Sequence, residues 1–311
     1  MPDSDAIVVA FGPVEESAVA DILGAHARLV NDPTEEDIHK AVGAIVRAHT
    51  VVNAELLDRM PHLQVIARTG VGTERVDVAE ANRRGIPVVI TPGSNTNAVA
   101  EGAMAHLLSL TKSLAPLTTL VREDRWTERD SVPVGDLEGG TLAILGYGRI
   151  GSQVARLATA FGMKVVAFDP FVTSADVPLA AHAEEAVAHA THISIHLPAT
   201  PSTHNLVSRD LIHSMKDGVI VVNLARGEVV DLDALYEGLE SGKIGGVGLD
   251  VFDVEPPEHH PIFDHPRVVL SPHVMGLTAK STRETFRQAA RGVADVLAGK
   301  QPKHVASPPS P

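Results

Sequence analysis

The chain has 311 residues, about two domains' worth at roughly 150 residues each, and its 44% hydrophobic and 21% charged shares exclude a disordered chain, a collagen-like chain and a small stapled scaffold. Its 26 basic and 39 acidic side chains give a net charge of −13 with no Lys/Arg block, which argues against a nucleic-acid or anionic-membrane surface. There is no cysteine, so disulfides, thiolate metal sites and a cysteine nucleophile are excluded.

Residues 7–12 form a β-branched run that ends in Gly12. Residues 15–30 predict a helix, with Val19, Ile22, Leu23 and Leu29 near one face. Further buried strands are expected over 44–48, 63–67 and 86–90, separated by helical stretches such as 78–84, which Gly85 stops. Residues 98–114 read as one long helix broken in composition only by Gly102. Residues 122–138, which hold the only tryptophan, Trp126, read as a polar connector ending at Gly139-Gly140.

A second alternating series follows. Strands are expected over 141–145, 164–168, 192–197, 218–224, 246–251 and 267–270. A helix is expected over 150–161, with Ile150, Val154, Leu157, Ala158 and Phe161 on one stripe, and another over 282–297. The Pro/Ser-rich end, 300–311, is expected to fray. Strands alternating with helices predict parallel sheets covered by helices. No apolar run reaches membrane-spanning length, and the acidic start Met1-Pro2-Asp3-Ser4-Asp5 lacks a signal pattern, so a soluble cytoplasmic protein is expected.

Gly146-Tyr147-Gly148-Arg149-Ile150-Gly151 matches G-x-G-x-x-G between an apolar strand and an amphipathic helix. In that context Gly146 permits the tight turn, Gly148 lets the backbone approach a pyrophosphate, and Gly151 lets helix pack on strand. The helix N-terminus then offers free N–H groups and its positive dipole end. Asp169 closes the next strand, 18 residues after Gly151, where a carboxylate would bind ribose hydroxyls and repel a 2′-phosphate. NAD is therefore favoured over NADP. The fingerprint starts only after some 145 residues, which disfavours the L-lactate and L-malate dehydrogenases.

Three charged residues follow buried strands: Arg226, Glu255 and His273. Ligands of open α/β sheets bind beyond the carboxyl ends of strands, so all three can face one crevice. Singly, each has a plain alternative: a surface arginine, a loop acid, and one structural histidine among 16. Together they supply what a hydroxyacid oxidoreductase needs. An arginine binds a carboxylate in bidentate fashion, a histidine exchanges the hydroxyl proton, and a glutamate holds that histidine in one tautomer. His192 and His196 alternate onto one strand face; without a close acid they read as core or cleft histidines, and no metal is expected. No G-x-S-x-G nucleophile elbow is present.

The chain resembles the D-isomer-specific 2-hydroxyacid dehydrogenase family, which includes phosphoglycerate dehydrogenase and hydroxypyruvate or glyoxylate reductases. The resemblance rests on Arg68-Thr69-Gly70-Val71-Gly72, Asn95-Thr96-Asn97-Ala98-Val99-Ala100-Glu101 and the Gly146 fingerprint. It continues through Asn223-Leu224-Ala225-Arg226-Gly227, the stretch from Gly248 to Pro256, and Ser271-Pro272-His273-Val274-Met275-Gly276, covering about residues 5–300. It implies an α/β fold of two Rossmann-like, doubly wound parallel-sheet domains. A discontinuous substrate domain would take residues 1–97 and 281–311, and an NAD domain residues 98–280.

The resemblance also implies roles. Arg226 would orient the substrate, His273 would be the acid/base and Glu255 its partner. Asp250 would lie near the nicotinamide amide, and Asp169 would be the ribose acid. Arg149 and Ile150 would meet the pyrophosphate, while Thr91, Thr203, Ala225 and Gly276 would line the cofactor. Val71 and Gly72 would offer N–H groups to the substrate carboxylate. A homodimer, formed through the cofactor domains and the 98–114 region, and a small 2-hydroxyacid or 2-oxoacid substrate are implied as well.

There are departures from the family pattern. Glu74-Arg75-Val76-Asp77 replaces the family's usual Asp-Asn-hydrophobic-Asp, and Arg75 either sits at the surface or favours a doubly charged substrate. The regulatory extension of some phosphoglycerate dehydrogenases is not expected. The first glycine loop carries no lysine, which disfavours phosphite oxidation. The rival class is an NADH-sensing, corepressor-like binding protein without efficient turnover.

Overall fold

The computed structural model describes residues 6–24 and 26–307; residues 1–5, with the acidic start, residue 25, and the last four of the Pro/Ser-rich end lie outside the described residues. The described chain divides into two compact units, one running to Asn95 and resuming at Leu277, the other spanning Thr96–Gly276. The division falls two residues before 97/98 and four before 280/281; one helix begins at Thr96 and another at Ala279.

In the first unit the chain alternates β1 (Ile7–Phe11), α1 (Glu16–Leu23), β2 (Arg28–Asn31), α2 (Glu35–Lys40), β3 (Ala41–Val46), α3 (Ala54–Asp58), β4 (Val65–Arg68), α4 (Val78–Arg83) and β5 (Val88–Val89). The C-terminal helix Ala279–Leu297 completes it. The five strands form one parallel sheet in the order β2-β1-β3-β4-β5. Val8, Ile45, Val65 and Ala67 pack on α1 and on Phe286, Ala289 and Val293 of the C-terminal helix. Val9, Ala44, Val46 and Ile66 pack on the opposite face with Ile38 and Leu57. Burial on both faces is why these strands read as unbroken apolar runs rather than alternating ones. Thr34, Asn53 and Asp77 cap α2, α3 and α4 by accepting a backbone N–H three residues on.

Two expectations for this unit are corrected. The 15–30 helix stops at Leu23, and Arg28–Asn31 instead pairs with β1 as the edge strand. The apolar pair Leu29 and Val30 fits the helical spacing but serves the sheet. The described part of the C-terminal stretch is not frayed. Val305 bridges Val89, the Ala306 N–H donates to Val88 O at 2.8 Å, and the Ile90 N–H donates to His304 O at 3.1 Å. The tail thereby occupies the open hydrogen-bonding edge of β5.

The second unit holds α5 (Thr96–Thr111), α6 (Leu114–Arg122), β6 (Thr141–Leu145), α7 (Arg149–Ala160), β7 (Lys164–Phe168), α8 (Ala183–Val187) and β8 (His192–Ile195). It continues with α9 (Arg209–Ser214), β9 (Val219–Asn223), α10 (Leu232–Glu240), β10 (Ile244–Leu249) and β11 (Val268–Leu270). Its six strands are all parallel, in the order β11-β10-β9-β8-β6-β7. The chain leaves β6 toward β7 on one side and later returns to β8 on the other. The gap between β6 and β8 is therefore the topological switch point, where such sheets bind ligands. Leu142, Ile144 and Val222 pack with Leu107, Val154 and Ala158 on one face; Ile193, Ile195, Val221 and Leu249 pack with Leu235 and Leu239 on the other.

The 98–114 helix breaks at Ser113, which is left-handed (φ 49°) and donates its hydroxyl to Pro133 O, so α6 starts anew at Leu114. The 122–138 connector carries a short 3-10 turn, Trp126–Ser131. Among the described residues no helix is long and apolar enough to cross a membrane.

Candidate active site

The glycine turn lies where β6 ends. Gly146 adopts φ +103°, and a Cβ there would fall 2.5 Å from the backbone carbon of His196, the residue that follows β8. A Cβ on Gly151 would fall 2.0 Å from Gly146 O, so helix and strand exit are packed backbone to backbone. At Gly148 a Cβ would meet nothing within 4 Å, which leaves its backbone open to approach. Gly148 is the N-cap of α7 and supplies no capping side chain, so the amides of Arg149, Ile150 and Gly151 open the helix without one. A pyrophosphate fits this cradle on all three counts.

Asp169 stands just past β7, beside that turn. Its carboxylate accepts the Tyr147 N–H at 2.8 Å and the Phe171 N–H at 2.9 Å, leaving lone pairs on both oxygens. Tyr147 is buried and donates its hydroxyl to Asp176; burial and that bond push the phenol up to about 12. This pair was not legible in the sequence, because an x position of the fingerprint carries no signal of its own.

Arg226, Glu255 and His273 follow β9, β10 and β11, three adjacent strands, all at the carboxyl edge of the sheet. Glu255 and His273 meet: His273 Nδ1 lies 2.7 Å from Glu255 Oε2. A carboxylate only accepts, so Nδ1 carries the proton and Nε2 is left for chemistry. Glu255 Oε1 accepts the Phe252 N–H at 3.1 Å, which orients the carboxylate on its own loop. Beside the pair opens a cavity of about 490 Å³ whose walls include Phe252, Pro256, Leu270 and Pro272.

Arg226 follows a turn folded by buried Asn223. Asn223 accepts the Ala225 N–H at 3.0 Å and donates to Arg226 O at 2.8 Å. The guanidinium donates to Ala225 O at 2.8 Å. At Gly227 a Cβ would fall 1.9 Å from the Phe252 carbonyl carbon, so the Arg226 turn lies directly on the loop that leads to Glu255.

Asp250 is buried, at 2% exposure, and is engaged with the loop that carries His273. Its Oδ1 accepts from the Ser271 hydroxyl at 2.6 Å and the Val274 N–H at 3.0 Å, and its Oδ2 accepts from the Met275 N–H at 3.2 Å. His273 sits inside this clamp with φ +53°, a backbone region that a non-glycine residue rarely adopts. Gly276 ends the same unit.

Thr203 uses its hydroxyl to close the turn after β8: it donates to Pro198 O at 2.6 Å and accepts the Thr200 N–H at 2.8 Å. His192 bonds Thr111 at 3.0 Å and Thr191 at 2.8 Å, which makes it a core histidine, and burial pushes it down to about 4. Burial pushes His196 down to about 3; its Nε2 meets Ser194 at 2.8 Å. Among the described residues no group of three His, Asp or Glu side chains is placed to hold a metal ion.

Thr91, Val71 and Gly72 belong to the first unit. The Thr91 N–H donates to Gly70 O at 2.9 Å, so the end of β5 ties down the glycine loop after β4. Gly70 has φ +141° and lies under the Arg68 guanidinium, which donates to Thr69 O; Val71 is half exposed.

The family model described as "D-isomer specific 2-hydroxyacid dehydrogenase, NAD binding domain" matches residues 104–275. A hydroxypyruvate reductase of Thermotoga maritima is 40% identical over 243 residues, 77% of this chain and 79% of that protein. A D-3-phosphoglycerate dehydrogenase of Mycobacterium tuberculosis is 38% identical over 88% of this chain, but the match spans only 53% of that protein, about half its length. A D-lactate dehydrogenase of Aquifex aeolicus, solved with NAD and lactic acid, superimposes with a TM-score of 0.83 at 28% identity, covering 98% of this chain and all of that one. Two parallel α/β units agree with these likenesses, and the chain belongs to the D-isomer specific 2-hydroxyacid dehydrogenase family of NAD-dependent oxidoreductases.

Proposed function

We propose that the chain interconverts a small 2-oxoacid and its D-2-hydroxyacid, with hydroxypyruvate, glyoxylate or the oxoacid of 3-phosphoglycerate as the substrate class. The observation that carries this reading is the 2.7 Å contact of His273 Nδ1 with Glu255 Oε2 at the carboxyl edge of the sheet. Arg226 binds the substrate carboxylate and polarises the carbonyl. His273 Nε2 gives its proton to the carbonyl oxygen in reduction and takes it back in oxidation. Glu255 opposes the positive charge on the imidazole and holds its tautomer. NAD, when bound, supplies or accepts the hydride at the substrate C2.

Gly146, Gly148, Arg149, Ile150 and Gly151 hold the pyrophosphate through backbone groups, and Asp169 takes the ribose hydroxyls. Thr91, Thr203, Ala225, Asp250 and Gly276 line the rest of the cofactor. Val71 and Gly72 meet the substrate carboxylate from the first unit, residues 1–97 and 281–311 acting as the substrate domain and 98–280 as the cofactor domain.

The working form in this reading is a cytoplasmic homodimer. The apolar side chains that α6 and the 3-10 turn expose, Leu114 (52%), Val121 (59%) and Trp126 (60%), supply a surface for the second copy.

The test is NADH oxidation across a panel of 2-oxoacids, repeated with NADPH. Turnover of at least one small 2-oxoacid, with NADH preferred, is the expected result. Tight NADH binding with no turnover of any 2-oxoacid would replace this reading with that of an NADH-sensing binding protein.

A further inference from the structure

We infer that His106, on α5, is a positioning residue for the catalytic loop, acting through Ser271 and Asp250; the inference rests on the reading of His273 as the acid/base. His106 is 2% exposed and lies 165 residues from Ser271 in sequence, yet its Nε2 is 3.1 Å from the Ser271 hydroxyl oxygen.

The direction of each bond follows from counting protons. A serine hydroxyl has one proton, and that of Ser271 goes to Asp250 Oδ1 at 2.6 Å. Ser271 can then only accept from His106, so His106 Nε2 carries a proton. Burial holds this imidazole below its ordinary range against the opposing pull of Asp250, which favours the neutral ring with Nδ1 bare. Nδ1 is buried without a hydrogen-bond partner, so no acceptor beside it draws the proton away from Nε2.

The backbone beside the ring leaves room for it. A Cβ on Gly248, next to the last residue of β10, would fall 2.7 Å from His106 Nδ1, so only glycine there admits the imidazole without a shift.

The chain of donors therefore runs from His106 to Ser271 to Asp250, whose carboxylate also receives the Val274 and Met275 amides. One carboxylate grips both sides of His273, whose φ of +53° is held against its own preference. His106 donates to the Ser271 oxygen and fixes the rotamer that keeps the hydroxyl proton on Asp250. Without it Ser271 is free to turn, and the grip on the His273 loop loosens at its N-terminal side.

The experiment compares His106→Leu, His106→Gln, Ser271→Ala and the double variant His106→Leu/Ser271→Ala, with His273→Gln alongside. Gln places an amide N–H near the position of the imidazole Nε2, whereas Leu does not. His106→Leu should lower kcat about tenfold, the loss of one buried hydrogen bond, with KM for the 2-oxoacid and Kd for NADH moved less than about twofold. His106→Gln should recover most of that loss. The double variant should match the worse single variant, because both cut the same chain.

An unchanged kcat in His106→Leu, no recovery in His106→Gln, or losses that multiply in the double variant would overturn the inference. If His106→Leu does not fold, Ser271→Ala and His106→Gln decide it: a tenfold kcat loss in the first with near-normal kcat in the second supports it, and any other pattern overturns it. If His273→Gln keeps its turnover, the underlying reading of the site falls; if it loses turnover while the His106 variants do not, only this inference falls.

Discussion

His273 and Glu255 touch at 2.7 Å although they leave different strands, β11 and β10, and His273 reaches its partner from a left-handed backbone position. The pair is half open to solvent, with side-chain exposures of 50% and 37%, so it is placed to exchange protons rather than to stabilise the fold. Glu255→Gln keeps the size and a hydrogen-bonding group but removes the charge. It should lower kcat about a hundredfold and leave the Kd for NADH nearly unchanged, as measured by stopped-flow reduction and fluorescence titration. Equal loss of NADH binding would assign Glu255 to the cofactor instead.

Gly102 and Met275 form a second constraint on the same loop. A Cβ on Gly102 would fall 2.6 Å from Met275 Cβ, a position that cannot swing aside as the end of a side chain can. Gly102→Ala gains helix propensity of about 1 kcal/mol but must push the loop that holds His273. The expected net result is a lower Tm together with a several-fold lower kcat. A higher Tm with full kcat would mean that the loop yields without cost.

Fold and cofactor class were legible, and so was the place of Arg226, Glu255 and His273 after strands, because buried parallel strands read as apolar runs and strand ends are marked by the residues that follow them. At β6 the strand end is plain, since the apolar run over Thr141–Leu145 is followed at once by the turn glycine Gly146. The edge strand β2 was not legible, since Leu29 also completes a helical stripe and the pairing of Leu29 and Val30 with Val8 and Val9 lies outside any local window. The tail over β5 was masked by its Pro/Ser content, which predicts fraying where an open sheet edge instead supplies partners. His106 and Asp250 gave no local sign of their link, because 165 positions separate His106 from Ser271, which joins them.

The buried histidines of the second unit set an acid dependence of stability. Burial holds His192 at about 4 against an ordinary 6.5, so the unfolded chain binds a proton in that window that the folded chain refuses. Its contribution is complete above pH 6.5 and is lost as pH falls toward 4, amounting to about 2 kcal/mol by pH 5. His196, lowered in the same way, adds to the trend. The Tm should fall between pH 7.5 and about pH 5, and His192→Gln should show a smaller fall over the same interval. An identical fall in wild type and variant would contradict the assignment.

Asp169 accepts two amides of its own chain, so its removal should both loosen the glycine turn and lose the ribose contact. Asp169→Ala should raise KM for NADH at least about tenfold, the order expected for losing charge-assisted hydrogen bonds, while KM for NADPH changes less. Steady-state kinetics with both cofactors checks this; an unchanged NADH-to-NADPH ratio would remove Asp169 from cofactor selection.

That His273 moves the substrate proton is open to a single decisive comparison: single-turnover reduction of a 2-oxoacid by NADH in wild type and in His273→Gln. The variant should react slower by about a hundredfold or more while still binding NADH at near-normal affinity. A variant that reduces the 2-oxoacid as fast as wild type would take the proton transfer away from His273.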